Sequence, residues 1–437
     1  MSRLHPLPLC CLGGGTALLL CALARAAGLS QASSRPFVMA ALVFLFLLAA
    51  GLLFLCCRRW ETVCLALLPV GLALLLRTLL LDHVTDDYVT FLSDWAAFFR
   101  EQGGWAAVAL PKGNYTAPYL YFLAAISYLP VSDLYLIKLF SILFDVILAW
   151  GGCRLVQALV PGDRYRGAAA FCLLLLLPTV VLNGAAWSQC DAIYAALCLH
   201  GLAAGLEGRP RSSAFLAGLA FACKLQTVFL LPVWAVLWMS GRTRFRHLLW
   251  FPAACVLSVL PALALGKPLG DVLGVYFGQA AEYSAYLTLN APSLYALLPT
   301  DAPVNVALAA QAGILAAFLL VLGVLGWLLL RRKDLSRRAV LLAGVVFAVG
   351  IPLLLPHMHD RYFFLADVLT LAWACTDRRG ILPAALTQVA SLGAYHAYLL
   401  LRYAFPMGLG AVLLLLALLR ALELLVQEVR FPRSGAR

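Results

Sequence analysis

The chain has 437 residues, of which 64% are hydrophobic and 12% are charged. Soluble proteins are typically ~45–50% apolar and ~25% charged, so the composition excludes soluble domains and indicates a polytopic membrane protein. The net charge of +12 does not indicate a nucleic-acid partner, because the cationic residues form short clusters between apolar runs, as in cytoplasmic membrane loops. We therefore predict an all-α fold in which residues 1–437 form a single transmembrane domain.

About 12–14 transmembrane helices are predicted from apolar runs close to the ~20 residues that a bilayer requires. The predicted spans lie near residues 7–29, 37–57, 62–81, 133–160, 167–182, 186–206, 212–223, 225–240, 247–265, 304–330, 339–355, 362–376, 380–401 and 407–427. The arginine clusters between them fall on one side of the membrane if residues 82–132 make no net crossing. Both termini are then expected in the cytoplasm, and the loops 82–132 and 266–303 on the opposite, outer face. The apolar run 119–130 is too short to span and is expected to be interfacial or re-entrant.

The 13 cysteines have no disulfide or metal-ligand spacing, and most lie inside apolar runs as small hydrophobic side chains. Two acidic residues, Asp145 and Asp367, stand within predicted helices. Lys138 precedes Asp145 by seven residues and shares its helix face, so we expect these two side chains to pair.

Four polar segments, far apart in sequence, are expected to meet at the outer face. They are residues 81–95, 187–191, 224–226 and 357–362. An ionisable residue at membrane depth costs roughly 2.5–3.5 kcal/mol on insertion scales, so Lys224 in particular is expected to be functional. Structural alternatives remain for single residues. Asp86 and Asp87 could be solvated loop carboxylates, Asp191 could cap a helix, and Lys224 could extend to the membrane surface.

These residue types suit glycosyl transfer from a lipid-phosphate sugar. A carboxylate can take the proton of an acceptor hydroxyl, while cationic side chains stabilise the departing phosphate. Arginine and histidine in the last polar segment suit phosphate better than a metal, since a lone His-x-His pattern is weak for a metal site. No metal ion and no other cofactor is predicted.

The polar segments resemble those of the GT-C superfamily of integral-membrane glycosyltransferases, which use polyprenyl- or dolichyl-phosphate sugars. The similar stretches are TDDYVTFLSDW (85–95), GNYTAPYLY (113–121), LIKLFSILFD (136–145), WSQCDAIY (187–194), FACKLQ (221–226), NAPSLY (290–295) and HMHDRYFF (357–364). They run in order over about residues 80–370. Within the superfamily, the chain is most similar to prokaryotic proteins related to GPI mannosyltransferase II.

The resemblance implies a catalytic base in the first outer loop, with Asp87 as the best match and Asp86 as the second. It also implies interfacial helices in that loop. The donor phosphate would be held by His359 and Arg361, with Lys224 as a further candidate. The remaining predicted substrate-site residues are Trp95, Gln189, Asp191, Gln226 and Tyr362.

The expected donor is a polyprenyl-phosphate hexose, and the resemblance favours mannose as its sugar. The acceptor could be a lipid-linked glycan, a glycolipid, a polymer or a protein. Transfer is expected to invert the anomeric centre on the non-cytoplasmic face of a bacterial cell membrane, with both outer loops contributing to the active site. The alternatives are a transporter or flippase of lipid-linked sugars and a non-catalytic subunit of a glycan-assembly complex.

Overall fold

The computed structural model describes residues 6–281, 284–299, 304–332 and 335–431. The chain ends and parts of the predicted outer loop 266–303, at 282–283 and 300–303, lie outside these ranges. The helices in chain order are α1 Pro6–Ala26, α2 Arg35–Cys57, α3 Trp60–Leu79, α4 Ser93–Glu101, α5 Ala117–Ile126, α6 Asp133–Leu159, α7 Arg164–Leu176, α8 Pro178–Val181, α9 Asp191–Leu206, α10 Pro210–Cys223, α11 Pro232–Met239, α12 Phe245–Leu248, α13 Trp250–Ala264, α14 Leu269–Ala281, α15 Val306–Leu330, α16 Arg337–Leu354, α17 Phe364–Thr376, α18 Ile381–Leu399 and α19 Met407–Arg430. Two short parallel strands, β1 Thr288–Leu289 and β2 Met358–His359, pair with each other.

Eight helical segments within the described ranges are long and apolar enough to cross a membrane. A ninth span results if Arg164–Leu176 and Pro178–Ala186, which meet at a 51° bend, are taken together. The predicted all-α polytopic fold is confirmed, although the long helices are fewer than the predicted spans. Several predicted spans are shorter apolar helices, such as Asp191–Leu206 and Phe364–Thr376, because polar segments interrupt the apolar runs at their ends.

The chain divides into two compact units. The first comprises Met1–His200, Ala222–Lys224 and Cys255–Val275, and the second comprises Gly201–Phe221, Leu225–Ala254 and Tyr276–Arg437. The boundaries fall within or beside α9, α10, α13 and α14.

In the first unit, α1 and α3 approach each other closely through two glycines. A Cβ atom on Gly15 would lie 2.3 Å from the carbonyl oxygen of Leu67, and one on Gly71 would lie 2.5 Å from the carbonyl oxygen of Gly15. Small residues at such a crossing allow the two backbones to meet, which is a common basis of helix packing in membranes.

The prediction that Lys138 pairs with Asp145 is wrong. Asp145 accepts a hydrogen bond of 2.9 Å from the Nε atom of Arg77 on α3, and both side chains are fully buried. Lys138 lies two helical turns away, ~10 Å along the axis of α6. It donates instead to the carbonyl oxygens that follow α3, those of Leu80, Leu81 and His83.

The first predicted outer loop contains α4 and α5, both too short to cross a bilayer. Its start is held by Lys138 and by Asp82, whose carboxylate accepts hydrogen bonds from Tyr135 at 2.6 Å and from Ser30 at 2.9 Å. Its end is held by Arg100 of α4, which donates to three carbonyl oxygens between residues 127 and 131. Both ends of this segment are therefore tied to fixed positions of the first unit.

The second unit has α16 as its most buried helix. All residues from Ala339 to Leu353 are buried, and α11, α15, α17 and α19 pack against it. In contrast, α15 exposes many large apolar side chains, including Leu308, Phe318 and Leu322. An apolar helix exposed in this way is typical of a surface that faces lipid.

Candidate functional site

Asp87 lies in the helical turn that opens the segment before α4. Its Oδ2 atom accepts two hydrogen bonds, from the indole Nε1–H of Trp187 at 2.8 Å and from the side-chain amide of Gln189 at 2.9 Å. The carboxylate is half-buried, whereas both donors are buried. Two neutral N–H donors therefore fix the orientation of this carboxylate oxygen.

The backbone on both sides of this contact leaves regular α-helical geometry. A π-helical turn, Leu182–Ala186, ends at Trp187, and the next residue, Ser188, has a φ of 65°. A second π-helical turn, Tyr88–Leu92, follows Asp87 directly. Such turns are frequent at functional sites, and a non-glycine residue in the left-handed region costs on the order of 1–3 kcal/mol. The strained backbone marks this contact as a candidate site.

Further hydrogen bonds fix Gln189. Its main-chain carbonyl accepts a hydrogen bond of 2.7 Å from Ser141, and its main-chain N–H donates to the carbonyl of Asn183 at 2.9 Å. Its side-chain oxygen accepts a hydrogen bond of 3.3 Å from the hydroxyl of Tyr115. Because the amide oxygen is engaged by Tyr115, the amide nitrogen is turned towards Asp87.

Lys224 pairs with Asp191 inside the first unit. Lys224 is only 8% exposed and Asp191 only 1%. The second oxygen of Asp191 accepts a hydrogen bond of 2.8 Å from the amide of Asn183, and the ammonium lies 6.0 Å from the ring centre of Tyr194. Such neighbours are necessary because a buried charge is strongly destabilising without a partner. Lys224 is thus held within the unit by a carboxylate that is itself fixed.

A cavity of about 170 Å³ lies beside this ion pair. Lys224 and Cys190 contribute to its wall, and its aromatic wall is formed by Tyr119, Phe140, Phe144 and Tyr194. Cys190 stands between Gln189, which donates to Asp87, and Asp191, which holds the ammonium. Two consecutive residues extend the chain by at most ~7 Å. The residue that orients the Asp87 carboxylate and the residue that holds the Lys224 ammonium are therefore separated only by Cys190, which lines the cavity.

Ionisation of the neighbouring residues follows from their surroundings. Burial raises the pKa of Tyr88 to about 12, and the Asp133 carboxylate adds to this rise. Burial also lowers the pKa of His83, and the Lys138 ammonium lowers it further. For Asp82, burial raises the pKa, but hydrogen bonds from Tyr135 and Ser30 outweigh this and hold it below its ordinary value. At neutral pH the residues next to Asp87 in sequence thus include a neutral tyrosine after it, and a histidine that resists protonation and an ionised carboxylate before it.

Asp86 and Trp95 have different surroundings from Asp87. Asp86 is exposed, and within the described ranges no hydrogen bond to its carboxylate is formed. Trp95 is buried in the apolar core of the loop, where its ring meets that of Tyr115 edge-on at 5.3 Å. Trp95 is thus connected to Asp87 through Tyr115 and Gln189.

Gln226, His359, Arg361 and Tyr362 lie in the second unit. His359 belongs to β2, and its ring centre is 5.5 Å from that of Tyr362. Arg361 is half-buried. Gln226 and Tyr362 line a cavity of about 210 Å³. The predicted residues are therefore gathered into two groups, one within each unit.

Sequence reasoning missed Asn183 and Tyr115. Asn183 is fully buried, and its amide bonds Asp191 through both its nitrogen and its oxygen. Burying an amide in an apolar run costs free energy unless the amide is hydrogen-bonded. Asn183 could therefore have been recognised from the sequence as a residue that needs a polar partner. Tyr115 lies in the stretch 113–121 that resembles the superfamily, but the residue itself was not singled out, because tyrosines are common wherever a chain meets a membrane surface.

Within the described ranges, no three His, Cys, Asp or Glu side chains come close enough together to hold a metal ion. All 13 cysteines lie within the described ranges, and none of them forms a disulfide. The side chains that gather around Asp87 and Asp191 are amides, hydroxyls, an indole and an ammonium. These groups donate hydrogen bonds to oxygen atoms.

The fold is that of a polytopic membrane protein, and a buried cation in the wall of a cavity, next to a segment that orients a carboxylate, is an arrangement typical of an active site. The sequence pattern that defines glycosyltransferase family 87 matches residues 114–356, more than half of the chain. The chain therefore belongs to glycosyltransferase family 87, a GT-C-type family. No curated protein matches the chain.

The predicted membership of the GT-C superfamily is confirmed, whereas the likeness to GPI mannosyltransferase II stays a prediction. The matched range includes the segment from Gln189 to Asp191, as well as Lys224 and Gln226. It ends before His359 and begins after Asp87. The family thus establishes a glycosyltransferase, and the roles of single residues rest on the geometry.

Proposed function

We propose that the protein transfers a hexose from a polyprenyl-phosphate sugar to an acceptor hydroxyl, with inversion at the anomeric carbon. The observation that carries the proposal is the segment from Gln189 to Asp191. Its first residue fixes the carboxylate of Asp87, its last holds the ammonium of Lys224, and Cys190 between them lines the cavity. Membership of a GT-C-type glycosyltransferase family supports the reaction class.

Asp87 is proposed as the general base. As the acceptor oxygen attacks the anomeric carbon, its proton passes to the Asp87 carboxylate, and the bond from that carbon to the phosphate oxygen breaks. The leaving polyprenyl phosphate keeps the bonding electrons. Attack on the face opposite the leaving group inverts the anomeric centre. The hydrogen bonds from Trp187 and Gln189 keep the carboxylate in one orientation, which a base requires for its proton transfer.

Lys224 is proposed to stabilise the negative charge of the departing phosphate. An ammonium has three N–H donors, so a lysine bound to one carboxylate oxygen can bind a second anion at the same time. The fixed position of the ammonium is favourable, because it does not have to reorganise as negative charge develops. Arg361 and His359 are proposed as further phosphate ligands, on the strength of the sequence resemblance.

The other predicted site residues also have proposed roles. Asp191 positions the Lys224 ammonium, and Gln189 positions the Asp87 carboxylate. Gln226, Tyr362 and Trp95 are proposed to bind the substrate. Mannose is the proposed sugar, and the acceptor is a lipid-linked glycan, a glycolipid, a polymer or a protein. We place the reaction on the non-cytoplasmic face of a bacterial cell membrane, with both termini in the cytoplasm, as the charge distribution favours.

The role of Asp87 can be tested with Asp87→Asn in purified protein and a radiolabelled polyprenyl-phosphate hexose. Asparagine keeps an oxygen that accepts from Trp187 or Gln189, so the fold should be retained. Loss of a general base lowers the turnover by about 10²–10⁴-fold, while donor affinity should be unchanged. Asp94→Asn is the matched control, because Asp94 is an exposed acid of the same segment paired with Lys112.

Two further variants separate the alternatives. Asp86→Asn should retain activity, and its inactivity alongside an active Asp87→Asn would transfer the role of base to Asp86. The double variant Lys224→Met/Asp191→Asn should weaken donor binding, since it removes the cation, keeps the length of the side chain and leaves no buried charge unpaired. Normal turnover in both Asp87→Asn and this double variant would contradict the proposed site.

A further inference from the structure

Three exposed arginines of the second unit, Arg211, Arg244 and Arg246, form a group that we name the arginine cluster. No aspartate or glutamate occurs between residues 208 and 270, and within the described ranges none of the three side chains forms an ion pair. The neighbouring Arg209, in contrast, pairs with Glu207. The positive charge of the arginine cluster is therefore not compensated by a carboxylate of the described chain.

Helices α10 and α13 pack side by side near their starts. A Cβ atom on Gly218 of α10 would lie 2.3 Å from the carbonyl oxygen of Phe251 on α13. The ring centres of Phe215, in the second turn of α10, and Trp250, the first residue of α13, are 6.3 Å apart. A glycine at such a crossing lets two membrane helices approach closely. The first turns of the two helices are therefore neighbours.

This packing gathers the arginine cluster around His247. Arg211 is the second residue of α10, while Arg244 and Arg246 lie just before α13. The imidazole of His247 is within electrostatic range of all three guanidinium groups. Its Nδ1 atom accepts a hydrogen bond of 3.2 Å from the main-chain N–H of Arg244, so in the neutral ring the hydrogen is on Nε2. Only hydrogen-bond donors are thus offered to a ligand here, which suits an anion.

An exposed apolar surface adjoins the arginine cluster. Phe245, between two of the arginines, is 72% exposed, and Leu249 and Trp250 are also exposed. The helical segment Phe245–Ala264 is long and apolar enough to span a membrane, and only 11% of its apolar stretch is buried. Most of this segment is therefore expected to face lipid, with the arginine cluster at its first turn, where lipid headgroups lie.

The combination of these two surfaces selects an amphiphilic anion. Guanidinium groups bind phosphate oxygens through paired hydrogen bonds, and the anions at the start of a membrane-spanning helix are the phosphates of lipid headgroups. A zwitterionic headgroup would bring its own cation towards the three arginines, which is unfavourable. A water-soluble phosphate would make no use of the apolar surface. An anionic phospholipid fits both surfaces.

We propose that the arginine cluster and His247 bind the phosphate of one anionic phospholipid, whose acyl chains lie along α13. This phospholipid is distinct from the sugar donor, because the proposed topology places the arginine cluster on the cytoplasmic face and the reaction on the other. The inference does not depend on the role proposed for Asp87.

The test uses the full chain purified in an uncharged detergent, with native mass spectrometry to count the lipids that stay bound. Phosphatidylglycerol should bind saturably, with one molecule held more tightly than the next. Phosphatidylcholine with the same acyl chains should bind at least about tenfold more weakly, since its choline group cancels the charge of its phosphate. Glycerol 1-phosphate, which has the anionic group without acyl chains, should not displace the bound lipid.

Arg244→Gln/Arg246→Gln should weaken the binding of phosphatidylglycerol by about 25-fold, since each basic group near an anionic lipid contributes about fivefold. Arg331→Gln/Arg332→Gln is the matched control. It removes the same charge from two exposed arginines at the end of α15, and should bind phosphatidylglycerol like the original protein.

Equal binding of phosphatidylcholine would overturn the proposal, because the acyl chains alone would then explain the contact. Displacement by glycerol 1-phosphate would assign a site for a free anion instead. Equal losses in the two double variants would reduce the effect to general surface charge. Tighter binding of polyprenyl phosphate than of phosphatidylglycerol would make the cluster part of the donor site.

A second variant keeps the site testable if Arg244→Gln/Arg246→Gln does not fold. Arg244→Lys/Arg246→Lys retains the charge but loses the paired hydrogen bonds of the guanidinium groups. It should bind phosphatidylglycerol more weakly than the original protein, and unchanged binding would contradict the proposed phosphate contacts.

Discussion

Arg77 and Asp145 form an ion pair that is completely enclosed in the first unit, and its rupture should be strongly destabilising. The Nε atom of Arg77 lies 2.9 Å from Asp145 Oδ2, and neither side chain is exposed. In Arg77→Met the carboxylate would remain buried without a cation. Removing one member of such a pair costs about 3–5 kcal/mol, because an uncompensated charge is left in a region of low dielectric.

The double variant Arg77→Met/Asp145→Leu should lose far less. Both charges are then absent, so neither has to be stripped of water on folding, and the change in stability should be within ~1 kcal/mol or favourable. Arg25→Met provides the control, because Arg25 and Asp82 are 35% and 26% exposed at a separation of 3.4 Å. Pairs exposed to this degree contribute only ~0–1 kcal/mol.

Equilibrium unfolding in mixed micelles, followed by tryptophan fluorescence, measures all three variants on one scale. The electrostatic reasoning would be refuted if the double variant were as unstable as Arg77→Met, since lost packing would then explain both. The result also bears on the site. A Cβ atom on Gly184, within the π-helical turn before Trp187, would lie 3.5 Å from Asp145 Oδ2, so the carboxylate of the ion pair lies beside that turn.

Two further predictions concern the segment around Asp87. Gln189→Glu replaces an amide donor 2.9 Å from Asp87 with a carboxylate, so sugar transfer near neutral pH should fall by about tenfold or more; unchanged steady-state turnover in this variant would contradict the proposed positioning of the base. Because the pKa of His83 is lowered from its ordinary 6.5, the folded protein binds fewer protons here than the unfolded chain. The stability that this histidine contributes is therefore complete above the unfolded pKa and is lost as the pH falls through the folded pKa. Thermal unfolding between about pH 5 and 8 should depend less on pH in His83→Asn, and identical pH slopes would count against this assignment.

The fold class and most of the candidate residues could be predicted from sequence because polar groups are rare and costly in an apolar chain. Lys224 and Asp191 were both singled out on this ground, and they bond to each other. Their pairing was not predicted, since the two residues are 33 positions apart and meet only where the chain leaves helical geometry on both sides. Periodicity within one helix says nothing about such contacts.

The ion-pair partner of Asp145 could likewise not be predicted from periodicity within one helix. Lys138 was the cation nearest in sequence on the same helix, but Arg77 is 68 positions away and packs directly against the carboxylate. Arg77 stands in an apolar run like Asp145, so the two opposite charges could have been matched by their shared need for compensation. The number of long transmembrane helices was overestimated for a related reason. Hydropathy does not show that the apolar run 186–206 contains four residues, 187–190, that lie outside any helix.

The two π-helical turns let the candidate site hold extra residues without a change of helical phase. Each residue of an α-helix advances the chain by ~100° about the axis, and a π turn accommodates one residue more than an α turn. Deleting a single residue from Leu182–Ala186 would therefore let that turn close as an α turn while Trp187 keeps nearly the same direction. The deletion would instead remove the wide turn that carries Asn183, whose amide holds Asp191. The extra residue thus places a buried amide beside the site, and a chain that lost it would keep its indole donor but lose the support of its ion pair.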